Sequence, residues 1–154
     1  MPALVVYSTV VTKLATAFEL TANKTVFISP TLFWLPSTPQ LLIQVVPDGS
    51  VHQTSGGSST DETFDMSVAI FQQRNLDTHG RWHKQLTNAT ENLFDHRATL
   101  INTLHMNKLI IGSTPQLLRP LQLIQERPIQ YHSQRMGLLC WEFIFRGSTM
   151  RCLI

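Results

Sequence analysis

A chain of 154 residues is within the usual size of one folding unit and long enough to bury a core without disulfides or a structural metal. Its net charge of +2 includes no Lys/Arg cluster of the kind that tracks a phosphate backbone, and its two cysteines, Cys140 and Cys152, have neither metal nor redox spacing. With 43% hydrophobic and only 14% charged residues, the surface is charge-poor for a free monomer, as expected where neighbouring subunits cover it.

From Val5 to Leu20 the apolar residues Val6, Val10, Leu14 and Phe18 recur every four positions, and Val11, Ala15 and Ala17 widen the stripe. This spacing predicts an amphipathic helix with its stop near Asn23. The same stretch lacks a basic leader and is interrupted by Lys13, so neither a secretion signal nor a membrane span is expected, and a reducing, intracellular site of synthesis fits. Residues 26–40 hold Pro30, Pro36 and Pro39 around Leu32-Phe33-Trp34-Leu35, which forbids a continuous helix or interior strand and predicts an irregular arm or edge segment. Trp34 there is either a cap on the core or an aromatic interface anchor.

Leu41 to Val46 reads as a strand, closed by Pro47 and the turn signal Asp48-Gly49. Residues 47–63 contain Ser55-Gly56-Gly57-Ser58-Ser59 and almost no apolar side chain, and are expected to form a long, exposed, flexible loop. Loops of that length between two strands are uncommon unless they bind something or are simply disordered; for the first case Asp48, His52, Asp61 and Glu62 are the candidate docking residues. Beyond it Phe64, Met66, Val68 and Ile70 alternate with Asp65, Ser67, Ala69 and Phe71 as a strand does, forming a hairpin with the run from Leu41.

A long helix is expected from Arg81 to Asn107, its core stripe being Leu86, Ala89, Leu93, Leu100 and Leu104. Leu117 to Gln125 and Leu138 to Arg146 read as closing strands, the second with Leu139, Trp141, Phe143 and Phe145 on one face. The sum is a single α+β domain over residues 1–154: a mostly antiparallel sheet with the N-terminal helix and the long helix packed on one face.

Chemistry-bearing patterns are weak. His79 and His83 are four apart near Asp77, as metal ligands on one helical face can be, but Gly80 lies between them at the expected helix start, so solvated or capping histidines are the simpler reading. Asp95-His96 and His105 lack a nucleophile elbow, and adjacent helical residues point apart. Gly56-Gly57-Ser58-Ser59 lacks the Gly-Lys-Ser/Thr ending of a phosphate loop. No catalytic, metal or cofactor-binding residue is therefore expected. The competing class is a small intracellular enzyme or ligand-binding domain, with His79, His83, Asp77 and Arg81 as its polar cluster.

Charge is distributed unevenly. Residues 47–65 carry Asp48, Asp61, Glu62 and Asp65 with no Lys or Arg, whereas residues 119–151 carry Arg119, Arg127, Arg135, Arg146 and Arg151 against Glu126 and Glu142. Opposite potentials of this kind suit copies meeting head to tail, and equally two solvated faces of a monomer.

The order helix, strand, loop, strand, long helix, closing strands spans Leu41 to Arg146 in its main part. It is carried by Leu41-Leu42-Ile43-Gln44-Val45-Val46-Pro47-Asp48-Gly49, by Phe64-Asp65-Met66-Ser67-Val68-Ala69-Ile70, by Leu104 and by the aromatic last strand. In this it resembles the tail terminator and related head-to-tail joining (neck) proteins of long-tailed bacteriophages, although the arm from Pro30 to Pro39 is longer than that family's pattern. The resemblance implies a non-enzymatic virion protein that assembles as a ring, typically of six subunits, caps the tail tube and joins it to the neck of the capsid. Its partners would be itself, the tail tube protein and a neck or connector protein, with DNA only as passing cargo and no membrane or cofactor. Another neck, tail or baseplate component is the alternative within the virion.

Overall fold

The computed structural model describes residues 2–30, 41–54, 59–73, 92–111, 114–115, 117–131 and 138–152. Along these run α1 (Pro2–Phe18), β1 (Val26–Ile28), β2 (Leu41–Thr54), β3 (Ser59–Gln73), α2 (Leu93–Leu104), β4 (Ile110–Ile111), β5 (Thr114–Pro115), β6 (Arg119–Tyr131) and β7 (Leu138–Cys152). The fold class is α+β, as the residue pattern predicts. Five strands form one sheet in the order β1-β2-β3-β7-β6, parallel only between β1 and β2, while β4 and β5 make a separate small ribbon.

The stripe of α1 buries Val6, Val10, Val11, Leu14 and Ala15 against the sheet face that carries Ile43, Val45, Met66, Val68, Ile70, Phe143 and Phe145. Leu93, Leu100 and Leu104 of α2 enter the same core, so both helices lie on one face. Burial of this apolar set is the main stabilising term, at roughly 25 cal/mol per Å² removed from water. The opposite face is buried as well: Leu42, Ala69, Phe71 and Cys140 cluster there with Phe27 packed against them. Both sets of alternating positions on β3 are thus inside, where alternation alone predicts one buried face.

Helix α1 starts at Pro2, whose missing N–H costs nothing at the first helical position. It ends at Phe18 rather than near Asn23 because the chain then turns left-handed: Glu19 sits at φ 55°, its N–H donates to Thr16 O, and the Leu20 N–H donates to Ala15 O. That pair of bonds is the Schellman arrangement, which usually places glycine where Glu19 stands.

Three expectations need correction. Residues 47–54 and 59–63, expected in a loop, are strand: β2 continues to Thr54 and β3 begins at Ser59, in register through Thr54↔Thr60, while residues 55–58 lie outside the described residues. The stretch has almost no apolar side chain, but β3 is paired on both sides, down to Ser59↔Cys152 with β7, so backbone hydrogen bonds hold strands that side chains alone do not predict. Asp48-Gly49 is a bulge, not a turn; Pro47 faces Met66 and Gly49 faces Asp65, leaving Asp48 as the extra residue, and Gly49 takes φ 124°, open to glycine and strained for other residues.

Of the expected helix over 81–107, residues 81–91 lie outside the described residues, and the described helix spans only Leu93–Leu104. Asn92 is extended (φ −88°, ψ 156°) and caps α2, its side-chain oxygen accepting from the Asp95 N–H at 2.8 Å, so the helix begins at Leu93. In the expected arm or edge segment at 26–40, Val26–Ile28 forms the edge strand β1, parallel to Ile43–Val45, and residues 31–40 lie outside the described residues. Trp34, together with the cluster His79, His83, Asp77 and Arg81, lies outside the described residues.

Because Glu19 is exposed and left-handed, Glu19→Gly should raise stability by about 1 kcal/mol through relief of that backbone conformation. The denaturant midpoint of purified protein measures it; an unchanged or lower midpoint counts against a Schellman stop at this position.

Candidate docking site at the outer end of the sheet

The bulge at Asp48 sits where β2 passes the first turns of α1. There a cavity of about 350 Å³ opens between helix and sheet. Val6 and Tyr7 of α1 line one side, Pro47, Gly49 and Ser50 of β2 the next, and Glu62, Phe64 and Thr149 complete it from β3 and β7. The Tyr7 and Phe64 rings meet at 6.1 Å between centroids, tilted by 59°. Phe64 in turn lies across Gly147: a Cβ there would stand 2.7 Å from Phe64 Cζ and 3.0 Å from Leu121 Cδ2. Gly147 therefore lets an aromatic side chain from the neighbouring strand cross it, and that ring lines the cavity.

Three carboxylates bear on this place. The Tyr7 phenol is pushed up to about 12, chiefly by burial and then by the negative fields of Glu62, Asp48 and Asp65. Asp65 is neutralised locally, since Arg146 donates to it through Nε at 2.9 Å and Nη2 at 3.2 Å across the β3–β7 pair. Glu62 has neither a hydrogen-bond nor an ion-pair partner among the described residues. The cavity thus combines an apolar wall, a protonated phenol and excess negative charge, a set that suits an apolar stem carrying a cation.

Of the residues expected to dock a partner, Asp48 is exposed at the bulge, Glu62 lines the cavity, and Asp61 is one residue further out on β3. His52 stands opposite Glu62 in the ladder, as Gln53 stands opposite Asp61. The four are brought to one end of the β2–β3 hairpin. Tyr7 and Thr149 were not expected there. In the sequence Tyr7 is simply the neighbour of a helix-stripe valine, and its place follows from how α1 lies on β2 and β3.

A second cleft, about 390 Å³, lies between α2 and the sheet and is lined by Phe94, Arg97, Glu126 and Trp141. Trp141 stacks on Phe143 at 6.0 Å, meets Phe94 edge-on at 5.6 Å, and carries the Arg97 guanidinium 5.8 Å from its ring centre. Arg97 already grips Glu126 through Nε and through Nη2 at 2.9 Å, so the two charges here answer one another. The Asp95-His96 pair is no dyad: Asp95 is held by the Asn92 side-chain amide at 2.6 Å, while the His96 ring packs 5.8 Å from Phe18. His105 Nδ1 accepts from the Leu123 N–H at 3.1 Å, a structural bond that ties the end of α2 to β6.

Cys140 is buried, with its thiol pushed up to about 12 by burial and then by Glu142, and is an inert core residue. Among the described residues no three His, Cys, Asp or Glu side chains are grouped to hold a metal, and no helix is long and apolar enough to cross a membrane. No protein-family model matches the chain, and no curated protein is significantly similar to it.

Gly147→Ala should destabilise by roughly 1–3 kcal/mol, the usual cost of forcing atoms into a filled core, and should displace the Phe64 ring into the cavity. Denaturant melts and the aromatic signals of Tyr7 and Phe64 report both. Tyr7 holds its proton more tightly folded (about 12) than unfolded (10.0), so its contribution is complete below pH 10 and lost between pH 10 and 12. Wild type should accordingly lose more stability across that window than Tyr7→Phe; equal losses would show that the phenol is not shielded in the fold.

Proposed function

We propose that this chain is a non-enzymatic structural protein of a virus particle, a ring-forming tail terminator that caps the tail tube and joins it to the neck of the capsid. The observation that carries the reading is the division of unlike charge between the two sides of one sheet. Uncompensated acids, Asp48 and Glu62, lie beside β2, and Arg119 stands exposed on β6. A surface that is acidic on one side and basic on the other favours a head-to-tail contact, which generates rings when the rotation between copies closes.

The long paired strands support the same reading. β2 and β3 run for 14 and 15 residues, and their pairing continues beyond Phe64, the last core residue toward the hairpin end among those described. This extension is a rigid acidic projection suited to meeting a tube or neck partner, or to lining a channel where negative charge keeps passing DNA from adhering. The low charged fraction of 14% fits a surface taken up by neighbours on both sides. In the virion the partners would be the tail tube protein and a neck or connector protein, with the ring in the tail–neck region.

A second reading, a small-ligand-binding domain, is favoured by the cavity of about 350 Å³, which falls in the range of small-molecule sites. The two separate by mass. Light scattering across a concentration series, with negative-stain microscopy of the same samples, should show closed rings of several copies. A stable monomer at every concentration would favour the ligand-binding domain. Joint neutralisation of Asp48, Asp61 and Glu62 should impair assembly on tail tubes, and unimpaired assembly would remove the acidic projection from the mechanism.

A further inference from the structure

Strand register fixes what shares the helix-covered face toward the hairpin end. In an antiparallel pair, residues directly opposite lie on one face and every second residue returns to it. Met66 and Phe145 stand opposite one another in the main core, so the next two rows outward on that face are Phe64 with Gly147 and Glu62 with Thr149. No irregularity interrupts this part of the β3–β7 pair. Glu62, Phe64 and Thr149 accordingly line one cavity, with Val6 and Tyr7 of α1 on its other side.

Apolar surface and polar groups are separated along these rows. The inner row is apolar: the Phe64 ring lies across Gly147 and is met by Tyr7 at 6.1 Å between centroids. The outer row is polar, with Glu62 and Thr149 roughly 4.5–5.5 Å apart at their Cβ atoms, as opposite partners in an antiparallel pair are. Thr149 is 6% exposed, yet its hydroxyl makes no hydrogen bond among the described residues. A buried hydroxyl ordinarily has a partner, and this one belongs to a cavity in which a bound group can supply it. Glu62 is half-buried and has no ion-pair partner among the same residues. The Tyr7 phenol, pushed up to about 12, stays neutral, which leaves Glu62 as the charged group of the lining.

We propose that this cavity binds a small primary amine on an apolar stem, the ammonium held by Glu62 and Thr149 and the stem laid against Phe64. An ammonium brings three N–H donors and no acceptor, which answers a carboxylate beside an unpartnered hydroxyl oxygen. An anionic ligand would meet Glu62 with like charge, and a neutral one would leave that carboxylate half-buried without compensation. The inner row suits the stem, because Phe64 presents a ring and Val6 and Pro47 add apolar wall. With a volume of about 350 Å³ and walls from one helix and three strands, the cavity matches a free small molecule and not the tip of a partner's side chain. The assignment needs one copy of the chain, goes beyond the ring reading and does not rest on it.

The test is isothermal titration of the full chain with phenethylamine, set against phenethyl alcohol, hydrocinnamate and N-acetyl-lysine methylamide. The expected result is saturable binding of the amine, binding of the alcohol weaker by about tenfold or more, as for a lost charge-assisted hydrogen bond, and none of the acid. No binding of the amine, equal binding of amine and alcohol, or tighter binding of the lysine amide each overturns the assignment, and none of these readings needs a variant. Glu62→Gln and Thr149→Val then locate the site, with thermal melts as the folding control. Both should weaken the amine, and Glu62→Gln should leave the alcohol unchanged. Unaltered amine binding in both folded variants overturns the cavity as its place. Ring formation is read separately by mass, so failure here leaves the ring reading standing and failure of the ring reading leaves this one.

Discussion

Strand β3 is paired along its whole length on both sides, to β2 from Thr60 to Gln72 and to β7 from Ser59 to Gln73, and the rest of the molecule is arranged by that double ladder. The period of two assigns Met66, Val68 and Ile70 to the helix-covered face and Ser67, Ala69 and Phe71 to the other. A slip of one residue would exchange the two sets and drive Ser67 into the main core, so the register is strongly specified. The same ladder carries polar strand ends past the last core residue. It also holds Asp65 beside Arg146 and Glu62 beside Thr149, which fixes where charge is cancelled and where it is not.

What was legible in the residues was what periodicity encodes. The valine stripe of α1, the alternation of Phe64 to Phe71 and the aromatic face of β7 name their own elements, because burial repeats at the period of the backbone that bears it. Residues 47–63 misled for the complementary reason: Thr, Ser, Gln and Asp in an extended run look like a loop until a partner strand exists for their amides. Asn92 and Asp95 did carry a readable signal, a cap followed three residues later by an acid, but apolar residues on both sides concealed it inside one apparently continuous helix. The candidate docking residues Asp48 and Glu62 were recoverable from an acidic stretch. Tyr7, Thr149 and Gly147 were not, since their meeting depends on how α1 lies across strands distant in sequence.

Among the described residues, the charges on the inner strands and α2 are largely answered by one another. Arg97 answers Glu126, Arg146 answers Asp65, and Glu142 accepts from the Ser67 hydroxyl at 3.1 Å with Arg127 at 3.9 Å. Exposed pairs of this kind add little stability, but they set the net field by cancelling most of it. Among the described residues, Glu62 and Asp48 near the bulge and Arg119 on β6 have no such partner, and neither do Lys13, Glu19, Lys24 and Lys108. In so charge-poor a chain each unpaired group weighs more in the long-range potential, which bears on the rate of encounter more than on its strength.

The restriction of β1 to three residues has a geometric corollary. Successive strands in a sheet rotate by roughly 20–25°, so the outermost strands of a five-stranded sheet differ in direction by roughly 80–100°. Two such sheets placed side by side with their mean strand directions aligned do not run their borders in parallel; the borders cross and touch near one point. Among the described residues β2 has no outer partner past Val45, so that point can fall on the polar half of the strand. An assembly built through it would be set by the pitch of the sheet itself, so the number of copies in a closed turn would be a property of strand twist and not of the size of the contact.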